Sequence, residues 1–169
     1  MLTRRNAPAW AFIAGMIEVV NEYGAQKLKK WLELIGVRLA ELEGPGVEGK
    51  VKYEMNYSLS CPLYAIFEIP ATFETLPSEE NGYIDLELLK GERPEEEAAA
   101  SSVFCIMHHA HRIKRAELAG KKFYHLASRM SASDEPVFND AAIEMLGIDK
   151  KDVKALLDEG AFCIFKYTD

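Results

Sequence analysis

Apolar residues recur every three or four positions through the N-terminal part of the chain. Trp10, Phe12, Ile13, Met16, Ile17 and Val20 share one face of a helix predicted from about Ala7 to Tyr23, with Asn6 placed to cap it, Pro8 in its first turn and Gly24 closing it. Leu28, Trp31, Leu32, Ile35, Leu39 and Leu42 repeat the pattern from about Ala25 to Glu43. One glycine between two such helices predicts an αα-hairpin.

The period then changes. After the turn cluster at residues 44–49, Val51, Tyr53, Met55, Tyr57 and Leu59 alternate with polar neighbours, which predicts a half-buried strand. Cys61 and Pro62 interrupt it, and a second strand is predicted from Leu63 to Ile69. Residues 70–82 read as a loop, and the segment from Tyr83 reads as a weaker strand or a short helix. Pro94 and Glu95–Glu97 then open a long helix, because proline fits a first turn and the helix dipole favours negative charge there. That helix is predicted to run to about Ala119, with Gly120 as its stop signal.

Residues 121–130 read as a strand, 131–136 as a loop, and 137–148 and 149–160 as two short helices, the second capped by Asp149 and closed by Gly160. The last segment, 161–167, is apolar on both faces, which places it inside the sheet. The expectation is one α+β domain over residues 1–169: a helical hairpin, an antiparallel sheet of about four strands, one long helix and a C-terminal strand. Helices covering one face of the sheet are the economical arrangement.

Of the 169 residues, 49% are hydrophobic, enough for a packed core and too many for a disordered chain. A net charge of −7 repels polyanions, so no nucleic-acid partner and no membrane partner is expected. The basic patch of His108, His109, His111, Arg112, Lys114, Arg115, Lys121 and Lys122 is set against acidic segments such as Glu95–Glu97. Arg4 and Arg5 precede an apolar run, but Glu18 breaks it and no small-residue cleavage motif follows, so it reads as a helix rather than a signal peptide. Cys61, Cys105 and Cys163 are odd in number and far apart, which fits reduced thiols in the cytoplasm.

Residues 105–112, CIMHHAHR, are the densest group of reactive side chains. Helical spacing puts Cys105, His108, His109 and Arg112 on one side, with Ile106, Met107 and Ala110 on the other and His111 between. Cys105 with His108 or His109 could present a thiolate and an imidazole to a metal, but a tetrahedral site needs ligands from elsewhere, and no second pair at ligand spacing exists. No metal and no cofactor is therefore expected, the histidines read as a solvated or interface face, and Cys105 reads as a small buried hydrophobe. A nucleophilic thiol is the other possibility: Cys105 beside His108 or His109, or Cys61 at the bend between two strands, makes the candidate catalytic set. The dinucleotide, phosphate-loop, zinc-protease and hydrolase motifs are absent from the sequence. Trp31, Tyr53, Tyr57, Tyr64 and Phe67, joined by His111 and Arg112, form a candidate ligand-binding set if the sheet curls over the helices.

Residues 21–44, NEYGAQKLKKWLELIGVRLAELEG, resemble the helical opening of the 4-vinyl reductase, or hydrocarbon-binding, domain family: a Glu22-Tyr23-Gly24 helix break, a helix containing Ile35-Gly36, and a closing Gly44. The order of two helices followed by strands is also similar. The cysteine- and glycine-rich C-terminal region of many such domains is absent, so no metal ligand carries over. The resemblance implies a homodimer that binds a small apolar or aromatic molecule. A binding or sensor-like domain without turnover is thus the leading expectation, and a cysteine- or metal-dependent hydrolase of a small amide or thioester-like substrate is the alternative.

Overall fold

The computed structural model describes residues 7–46, 53–56, 104–129 and 135–169. Helix α1 (Ala7–Tyr23) turns at Gly24, whose φ of 80° is open to glycine, into α2 (Ala25–Glu43). The two helices bury Met16, Leu28, Leu32 and Ala40, and the Trp31 ring stacks on Phe12 at 5.2 Å. The long helix α3 (Phe104–Leu118) lies against α2. At its outer edge, Glu43 meets His111 at 3.0 Å and Arg115 at 3.2 Å, tying the end of α2 to α3.

Helix α3 stops at Gly120, with φ of 68°, and the Lys121 N–H closes the turn on the Ala116 carbonyl at 2.8 Å. So tight a turn sends strand β2 (Lys122–Ser128) back beneath the helix. With β1 (Glu54–Asn56), β3 (Val137–Phe138) and β4 (Cys163–Thr168) it forms a four-stranded antiparallel sheet in the order β1-β4-β2-β3. The C-terminal strand lies between β1 and β2, as its two apolar faces predict.

Helices cover both faces of this sheet, not one. Phe123 and Phe165 pack with Ala116 and Ile113 of α3. Tyr124, Leu126 and Ile164 pack on the other side against α4 (Asp140–Met145) and α5 (Lys150–Asp158), through Ala142, Ile143, Val153 and Leu157. The correction has a direct cause: apolar side chains alternate onto both faces of β2 and β4, and each face needs a cover. The ladder also slips between His125 and Ala127, so Leu126 and Ala127 both join the α4–α5 cluster.

Val137 and Phe138, expected within a helix, pair instead with Ser128 and Ala127. The helix starts only after Asn139, whose side chain accepts from the Ala142 N–H at 3.0 Å while its own N–H donates to the Leu126 carbonyl at 2.9 Å. Asp149 caps α5 as expected, accepting from the Lys151 N–H at 2.8 Å. The predicted elements at 63–69 and 83–97, the bend at Cys61 and the cap at Asn6 lie outside the described residues.

Candidate functional site

The face of the sheet beneath α3 is polar at its centre. Glu54 and His125 each pair across the ladder with Phe165, so the three side chains form one row over β1, β4 and β2. Phe123 and Tyr167 form the next row. Above them, His108, His109 and Arg112 share one side of α3, as the helical spacing predicts.

His109 and His125 are 2% and 1% exposed, and their rings meet edge to face, with His109 Nε2 against His125 Nδ1. The protons can be placed by elimination. His125 Nε2 lies 3.0 Å from the Ala127 carbonyl, which only accepts, so that nitrogen carries the hydrogen. In a neutral ring Nδ1 then holds a lone pair, and His109 Nε2–H donates to it. Burial pushes the pKa of His109 down to about 3. Burial, with the neighbouring His109, His108 and Arg112, holds that of His125 well below its usual value. Both rings are uncharged at neutral pH.

Arg112 ties the remaining groups together. Its Nε donates to His108 Nε2 at 3.0 Å, its Nη1 donates to Glu54 at 2.5 Å and to the Tyr167 hydroxyl at 3.0 Å, and its guanidinium lies 5.1 Å over the Phe165 ring. Burial opposes the guanidinium charge, but Tyr167 and Glu54 more than offset it and the pKa is raised. Burial above all moves the Tyr167 phenol up to about 12. His108 is lowered by burial first and by Arg112 second, so it too is neutral. His111 is lowered less, because Glu43 partly offsets its burial.

No protein-family model matches the chain, and no curated protein and no solved structure matches it. The site therefore has to be read from its own geometry.

Of the solvated or interface face expected for the histidines, the structure shows the interface: His109 is buried between α3 and the sheet, and His108 is half-buried against Phe165 at 5.5 Å. A helix face with three imidazoles and an arginine looks solvated until the strand beneath it supplies partners. Cys105 is a half-buried thiol outside any disulfide, one turn before His109. Cys61, Tyr57, Tyr64 and Phe67 lie outside the described residues. The other ligand-binding candidates do not converge. Trp31 packs on Phe12, Tyr53 packs on the α4–α5 side with Lys166 at 5.3 Å, and His111 and Arg112 point to Glu43 and Glu54. Among the described residues, no group of three or more His, Cys, Asp or Glu side chains could hold a metal ion.

Sequence reasoning missed Glu54 and His125, and placed Phe165 and Tyr167 only among the aromatics of the strands. A usable signal existed for His125. From His109 to Leu118 a helix rises about 14 Å at 1.5 Å per residue, and from Lys122 to His125 a strand returns about 10 Å. A tight turn between them brings the two histidines to similar heights.

Proposed function

We propose that the chain is a binding or sensor-like domain for a small apolar or aromatic molecule, acting without turnover. The observation that supports this reading most is the state of the two imidazoles beside Cys105. Burial keeps the remaining nitrogen of His109 from holding a proton as an imidazolium, and His108 accepts from Arg112. A thiol–imidazole hydrolase needs a base free to take the thiol proton and hold it as an imidazolium. Neither ring meets that requirement, so no observation favours a hydrolase built on Cys105.

Binding sites pair an apolar wall with a few fixed polar groups. Tyr167 beside Arg112 and Glu54, whose side chains are 22% and 34% exposed, forms such a combination at the edge of the α3–sheet interface, over the buried Phe165. The resemblance to hydrocarbon-binding domains supports the same ligand class and a homodimer, and the odd, widely spaced cysteines support a cytoplasmic setting. Thermal denaturation of the full chain with aromatic carboxylic acids, tetrapyrroles and long-chain lipids tests the reading. A true ligand raises Tm in step with the logarithm of its concentration, because at a hundred times Kd it stabilises the native state by about 2.7 kcal/mol. No shift across the panel, together with Cys105-dependent hydrolysis of a thioester or amide, would overturn it.

A further inference from the structure

The helical layer meets the sheet through one side of α3, and the buried polar contact there joins His109 from the helix to His125 from the strand. We propose that this joint is an acid-released latch: one added proton breaks the His109–His125 contact and frees α3 from the sheet, while the sheet with α4 and α5 stays folded.

The proton count carries the proposal. The neutral pair has two N–H groups, His109 Nε2–H to His125 Nδ1 and His125 Nε2–H to the Ala127 carbonyl, and both are in use. A proton added at His125 Nδ1 turns the acceptor into a donor facing a donor. A proton added at His109 Nδ1 spares that bond but makes a second cation in an interface that already holds Arg112. The groups facing the pair offer no compensation. From α3 come Cys105, His108, His111 and Arg112, from β1 Glu54, and from β4 Cys163 and Tyr167. Glu54 is already paired with Arg112 at 2.5 Å, Tyr167 stays a neutral phenol, and Glu43 of α2 serves His111 and Arg115 at the outer edge. Among the described residues the joint is balanced for one cation and offers no counter-charge for a second.

The opposite face answers differently to acid. It is held by Leu126, Ile143, Val153, Leu157 and Ile164, none of which titrates. Acid therefore acts on one side of the sheet only.

Amide hydrogen exchange of the full chain at pH 6.5 and pH 4.5, corrected for intrinsic rates, tests the latch. A helix that loses its tertiary cover loses protection. Opening of residues 104–118 should rise at least roughly fiftyfold over those two pH units, as one proton bound only in the open state near the ordinary imidazole pKa of about 6.5 requires, with residues 150–158 unchanged. The non-titrating pair His109→Gln with His125→Asn should remove most of the difference, leaving only what the buried His108 adds. Equal loss of protection in both segments, unchanged protection in 104–118, or the same response in the double variant would each overturn the proposal. If the double variant does not fold, imidazole nitrogen NMR of the wild-type chain decides. Release must follow proton uptake by His109 or His125, and release that follows His111 or Glu54 instead refutes the latch.

Discussion

A β-carbon on Gly36 would lie 2.3 Å from the carbonyl oxygen of Met107, so α2 and α3 touch backbone to backbone at this point. The same carbon would sit 2.9 Å from the His111 nitrogen and 3.0 Å from the Ala110 β-carbon, and none of these is the far end of a flexible side chain. Gly36→Ala must push the helices apart, and should cost about 2 to 3 kcal/mol in urea denaturation. Gly24→Ala meets nothing within 4 Å and strains only a φ of 80°, at about 1 kcal/mol. Equal losses for the two would show that the close approach at Gly36 does not matter.

The pH dependence of stability follows from the buried imidazoles. His109 has a folded pKa of about 3 against 6.5 when unfolded, so between those values the unfolded chain binds the extra proton. Its contribution is fully present above pH 6.5 and is lost as pH falls, by about 2 to 3 kcal/mol at pH 4.5. His108 and His125, also lowered, add in the same direction. Urea midpoints at pH 7, 6 and 5 should fall in turn, and His109→Gln should flatten the slope. A midpoint independent of pH in that range would contradict buried neutral histidines.

The two helices of the hairpin and α3 were legible because each is a single unbroken period ended by a glycine: Gly24, Gly44 and Gly120. The site was legible only by half. His108, His109 and Arg112 are fixed on one helix side by spacing, but their partners Glu54 and Tyr167 lie 58 and 55 residues from Arg112, and only the strand register brings them there. Glu54 reads as the polar half of an alternating strand, and nothing local distinguishes it from a solvated glutamate. Val137 and Phe138 were lost for a similar reason: two residues carry no period, and the ladder beside Ser128 decides their state.

Arg112 and Glu54 should be coupled more strongly than a surface pair. Arg112→Met leaves His108 and Tyr167 without their donor and Glu54 without its counter-charge, at about 2 kcal/mol, while Glu54→Gln keeps the shape and costs about 1 kcal/mol. A double-mutant cycle in urea should give a coupling above about 1 kcal/mol, beyond the range of most exposed pairs. Coupling below about 0.5 kcal/mol would place the pair among solvated ones.

His109 should be irrelevant to the chemistry of Cys105. Because its N–H is held by His125 and its ring resists protonation, removing it takes no base away from the thiol. The pH profile of Cys105 alkylation by iodoacetamide, followed by peptide mass analysis, should be unchanged in His109→Gln. A severalfold slower reaction at pH 7 in the variant would revive the thiol–imidazole pair.

Asn139 and Asp149 cap adjacent helices with the same kind of bond but in different surroundings. Asn139 is 1% exposed, its acceptor serves the N–H of fully buried Ala142, and its backbone N–H holds the Leu126 carbonyl where the β2 ladder slips. Asp149 is exposed, so water can replace its oxygen at the Lys151 N–H. Asn139→Ala leaves a buried donor unsatisfied and should cost about 2 kcal/mol, whereas Asp149→Ala should cost about 0.5 to 1 kcal/mol. Urea denaturation of the two variants measures the difference directly. Losses of equal size would mean that the start of α4 is open to water, and that Asn139 does not join that helix to the edge of the sheet.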